Sequence, residues 1–96
     1  MSTILTVDEV KQHLRIETDD EDDYIESLIE QAQAVAEDFT RTTFVGKGPR
    51  PVRLAMLLLV SFYYENRDLP DRTAYSATRI AFENLLYPYR DVKKMF

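Results

Sequence analysis

The chain has 96 residues, with 17 acids against 12 bases for a net charge of -5, and no cysteine. That length bounds it to one domain, 1–96, near the lower end of the usual size range. The missing cysteines exclude a disulfide framework and a thiolate zinc site, and the acidic balance argues against wrapping duplex DNA, which needs a basic face. A domain this small leaves much apolar surface outside. With 45% hydrophobic residues and six tyrosines, part of that surface is expected to meet a partner.

The charge is unevenly spread. Residues 1–48 hold twelve acids and four bases, and residues 49–96 hold five acids and eight bases. Opposite-signed halves suit a head-to-tail contact between copies. Two solvated halves with chance asymmetry give the same counts. The first residues lack a positive n-region, so no signal peptide is expected. The longest uncharged run is about half the ~20 residues that cross a bilayer, so no membrane contact is expected either.

In chain order, Thr6-Val7-Asp8-Glu9 has the pattern of a capping box. It predicts a helix over about Val7 to Leu14, with Val7, Val10 and Leu14 on one face. His13 is the only histidine, and a metal site would need more ligands than it supplies. Asp19 to Asp23 is a run of five acids. Read as a calcium loop it fails at the sixth position, where Tyr24 stands in place of glycine. The better reading is a helix N-terminus whose dipole the acids complement. That second helix is predicted over about Asp20 to Arg41. Its apolar stripe is Ile25, Leu28, Ile29, Ala32, Val35, Ala36 and Phe39.

Residues 42–50 read as a short loop or extended piece, since Gly46, Gly48 and Pro49 interrupt the pattern. Pro51 to Arg67 predicts the central helix, with Pro51 at the first position. Leu54 to Tyr64 carries no charge, so this helix is expected to be buried on most of its faces. A last helix is predicted over about Ser76 to Tyr87, with Ile80, Phe82, Leu85 and Leu86 facing inward. Pro88 ends it. The tail to Phe96 mixes basic and apolar residues.

No catalytic set is legible. Ser61 has no base near it in sequence, and the abundant acids lie in a solvated run that gives no reason for a raised pKa. No enzyme activity, metal or cofactor is expected. The tyrosines suggest a contact surface.

The ordered residues resemble a family. Leu5-Thr6, Glu9-Val10-Lys11 and His13-Leu14-Arg15-Ile16 are similar to the opening of small tailed-phage head–tail connector proteins, also termed adaptor, head-completion or DNA-packaging proteins. Leu28-Ile29 with Ala32, Ala36-Glu37 and Thr40 continue the likeness. So do Pro51-Val52-Arg53, Ala55, Leu57-Leu58-Leu59-Val60, Tyr64-Glu65-Asn66-Arg67 and the closing Leu85-Leu86-Tyr87-Pro88-Tyr89-Arg90. Residues 41–50 leave little room for the longer loop or hairpin of some members.

The resemblance implies an all-α fold of about four helices around the central one. It further implies a structural virion protein that forms a ring, often dodecameric, beneath the portal. Such a ring extends the channel through which DNA passes without specific binding, and it receives a stopper or tail-completion protein. The protein would be made in the bacterial host cytoplasm and reside at the head–tail junction. On this expectation Tyr63, Tyr64, Arg67, Tyr87, Tyr89 and Arg90 form a subunit interface. The acids Asp19, Asp20, Asp22, Asp23, Glu26 and Glu30 face the channel or a neighbour. The tail Arg90, Val92, Lys93, Lys94, Met95 and Phe96 is mobile in the free subunit and orders on the portal. The rival reading is a small helical protein-interaction or regulatory module of phage or prophage origin without a virion role.

Overall fold

The first helix, Val7–Leu14, begins and ends where local chemistry satisfies its orphan backbone groups. The computed structural model describes residues 4–44, 49–66 and 72–90, with only the backbone described at Arg72. Four α-helices follow one another: α1 (Val7–Leu14), α2 (Asp22–Thr40), α3 (Arg50–Glu65) and α4 (Arg72–Leu86), with a 3-10 turn at Tyr87–Tyr89. No strand occurs among the described residues. The all-helical expectation around a central helix therefore holds.

The capping box forms as its spacing predicts. The Glu9 N–H donates to Thr6 Oγ1 at 3.2 Å, and the Thr6 N–H donates to Glu9 Oε1 at 3.1 Å. At the other end of α1 the Ile16 N–H reaches the Lys11 carbonyl at 2.9 Å and the Arg15 N–H that of Gln12 at 3.4 Å. This is a Schellman closure. It places Arg15 in the left-handed region at φ 59°, and Arg41 takes the same conformation after α2 at φ 57°. Such a conformation costs about 1–2 kcal/mol for a residue with a Cβ.

The core is drawn from every helix. Val10, Ile25, Leu28, Ile29, Ala32, Ala36, Val52, Ala55, Met56, Leu59, Val60, Phe82 and Leu86 are buried together. Ala32 and Ala36 let α2 approach α3 closely. Ile4 and Leu5 join this core, and the Ile4 N–H donates to Gln33 Oε1 at 2.8 Å, pinning the chain before α1 onto α2. After α2, Thr40 turns its buried hydroxyl back to the Ala36 carbonyl at 2.8 Å. The Phe44 N–H then donates to Glu37 Oε2 at 3.0 Å. Residues 42–44 have no regular structure, as expected for that connection, and residues 45–48 lie outside the described set.

One expectation is corrected. Ile80 does not face inward: it is 61% exposed, while Phe82 and Leu86 are buried and Leu85 half-buried. Residues two apart on a helix point about 200° apart, so Ile80 and Phe82 cannot share the core face, and the larger phenylalanine takes it. The central helix is covered on most of its faces, as its uncharged middle predicts, and four of its sixteen residues are exposed, Leu54 and Leu58 among them. Leu54 is 45% and Leu58 36% exposed. A chain of this length supplies too few elements to surround α3 completely.

Candidate functional site

The acidic run divides into two groups. Lys11, on α1, folds its stem against the protein and brings Nζ to Asp19 at 2.5 Å and to Asp22 at 2.9 Å. The ammonium holds the Asp19 carboxyl below the usual aspartate value. Hydrogen bonds to the two carboxylates raise Lys11 above the usual lysine value. Asp19 and Asp22 thus clamp α1 to the start of α2. Glu21 accepts a 2.6 Å hydrogen bond from the Tyr64 hydroxyl. Asp20, Asp23, Glu26 and Glu30 are exposed. Of these, Asp23, Glu26 and Glu30 lie on the outward face of α2, which has six acids and no base in nineteen residues.

The expected interface tyrosines make contacts within the subunit. Tyr64 packs its ring 6.4 Å from that of Tyr24, besides bonding Glu21. Tyr63 is half-buried beside Tyr75, and burial pushes its hydroxyl above the usual tyrosine range. Tyr75 also lies 5.6 Å from the Phe62 ring. Tyr87 and Arg90 come together at the end of α4, where the Arg90 guanidinium sits 4.7 Å over Phe39 and 5.7 Å from Tyr87. Tyr89 is half-buried against the core, and Tyr87 is 66% exposed. Arg67, Val92, Lys93, Lys94, Met95 and Phe96 lie outside the described residues, as does nearly all of the expected tail.

The Ser61 hydroxyl has no hydrogen-bond partner, and His13 is exposed on α1. No group of three or more metal-ligating side chains forms among them. No described helix is long and apolar enough to cross a membrane.

The sequence reading missed the outward face of α4. Every exposed residue from Thr73 to Pro88 is uncharged: Thr73, Ser76, Ala77, Ile80, Ala81, Asn84, Tyr87 and Pro88. The charged pair on this helix, Arg79 Nε to Glu83 Oε2 at 2.8 Å, lies half-buried at its flank. The seven-residue spacing from Thr73 through Ile80 to Tyr87 was the available signal, since it repeats one helix face.

The described surface thus sets a helix whose only charges are acids beside one whose exposed residues are uncharged. A family profile described as Phage gp6-like head-tail connector protein matches residues 4–92. The chain belongs to that family. Comparison with curated proteins and with solved structures finds no significant match. The match takes in all the described residues of the connector, including both charge-marked faces and the buried N-terminal Ile4 and Leu5. The family is one of phage structural proteins.

Proposed function

We propose that this connector assembles as a homo-oligomeric ring beneath the phage portal, lengthens the DNA channel after packaging, and presents a seat for the stopper or tail-completion protein. The family match across residues 4–92 carries this reading. The acid-only α2 supports it physically. A wall of carboxylates repels phosphate, so DNA passes without being held, whereas basic walls would bind it. On this reading the protein resides in the virion at the head–tail junction.

Asp20, Asp23, Glu26 and Glu30 are, of the six expected acids, those available to a channel or a neighbour, because Asp19 and Asp22 are engaged by Lys11. The tail from Arg90 to Phe96, with Lys93 and Lys94 among Val92, Met95 and Phe96, makes the portal contact. The test is reconstitution with the phage's own portal, followed by negative-stain microscopy. Wild type should form a ring on the portal, and a chain lacking residues 91–96 should keep its helical spectrum yet fail to bind. Equal binding by the truncated chain removes the tail from the proposal. If wild type forms no ring on the portal, the connector role beneath it fails, and the rival module without a virion role takes its place.

A further inference from the structure

Two stretches without regular structure are tied to one face of α2. Residues 4–6 precede α1, and residues 42–44 follow α2. Ile4 and Leu5 are buried in the core, and Phe44 packs half-buried against it. Backbone donors in such segments have no helix of their own to satisfy them and need acceptors elsewhere. Two side chains of α2 supply them. The Ile4 N–H donates to Gln33 Oε1 at 2.8 Å, and the Phe44 N–H donates to Glu37 Oε2 at 3.0 Å.

These two anchors are joined. Gln33 and Glu37 stand one helical turn apart on the same face, and Gln33 Nε2 donates to Glu37 Oε2 at 3.4 Å. The Gln33 amide is therefore used at both ends, its oxygen for a backbone donor and its nitrogen for a carboxylate. Turning that amide over would set NH2 against the Ile4 N–H and oxygen against the carboxylate, so it serves both neighbours or neither. Glu37 differs from the exposed acids Asp23, Glu26, Glu30 and Asp38 of the same helix: it is half-buried and takes two N–H donors on one oxygen. Hydrogen bonds to an ionised acceptor are the stronger kind.

We propose that Gln33 and Glu37 form a relay that couples the chain before α1 to the chain leaving α2, so that freeing either segment loosens the other. A partner that draws the Ile4 segment from its seat then loosens the start of the connection to α3. A partner that holds that connection steadies the Ile4 segment. The two effects are equal, because coupling between equilibria is reciprocal. The relay is independent of the ring and portal roles proposed above.

Amide hydrogen exchange of the full chain tests this, with each variant judged at the amide it does not touch. Gln33→Ala removes the acceptor of the Ile4 N–H and leaves that of Phe44 in place. Glu37→Ala does the reverse. The amide of Val60, fully buried on α3, reports global opening. Relative to Val60, Gln33→Ala should speed exchange at Phe44 by about two- to tenfold, the span of one net hydrogen bond. Glu37→Ala should speed exchange at Ile4 by a similar factor. Glu37→Gln, whose side-chain carbonyl still accepts, should restore most of the protection at Ile4. Unchanged exchange at the untouched amide in both alanine variants means two independent anchors and overturns the proposal. Equal acceleration at Ile4, Phe44 and Val60 means a loss of global stability alone and overturns it too. An effect in one direction only breaks the reciprocity and does the same.

Discussion

Lys11 joins α1 to the start of α2 through Asp19 and Asp22, and its effect is readable by pH. Its partner Asp19 is held below the usual aspartate value of 3.8, and Lys11 is held above the usual lysine value of 10.5. A carboxyl whose pKa is lowered by folding stabilises the fold above its unfolded pKa. That contribution is lost as pH falls through the folded value. The raised lysine contributes below its unfolded pKa and loses that contribution only in strong alkali. Denaturant midpoints measured from neutral pH downward should therefore fall in the acid limb, and Lys11→Ala should make that limb shallower. An unchanged slope would show that the clamp contributes nothing. Tyr64 is the second such residue. Tyr64→Phe keeps the ring against Tyr24 but removes the donor to Glu21. Urea unfolding should register a loss of about 0.5–1.5 kcal/mol, the usual worth of one partly exposed hydrogen bond.

Among the elements, α1 was legible to the residue because Thr6 and Glu9 mark its start chemically. The start of α4 was not. It begins at Arg72, four residues before the predicted Ser76, since Thr73-Ala74-Tyr75 carries no cap signal and follows Pro70 closely. Helix phase was legible on α2, where five apolar residues of the predicted stripe are buried. It failed on α4, where two large apolar residues two positions apart compete for one face and only packing decides between them. The contact of Tyr64 with Glu21 joins residues 43 apart, and no local pattern announces such a pair. The outward face of α4 was written in the sequence as an absence of charge, a signal that becomes visible only once the helix phase is known. The same phase gives a paired prediction. Leu59→Ala, at a fully buried site on α3, should cost about 2–5 kcal/mol. Ile80→Ala, on the open face of α4, should change the stability of the dilute monomer by less than about 0.5 kcal/mol. Equal costs in calorimetry would refute the assigned phase of α4.

As a whole the molecule is a slab, 44 × 32 × 18 Å along its principal axes. The short dimension is about two helix layers, given interaxial spacings of roughly 8–10 Å. A slab this thin has no deep interior, so the same few side chains that form the core lie one layer below its outward surfaces. The nineteen residues of α2 without a single base then have a consequence beyond contact. Acids gathered on one helix, with an excess of bases in residues 49–96, leave the charge of the chain unevenly spread. On the ring reading proposed above, a second copy drifting nearby feels that unevenness before any atoms touch, so its approach is steered. Stopped-flow association should therefore slow steeply as salt rises from low to physiological ionic strength, while dissociation changes little. An association rate indifferent to salt would mean that the subunits find each other by shape alone.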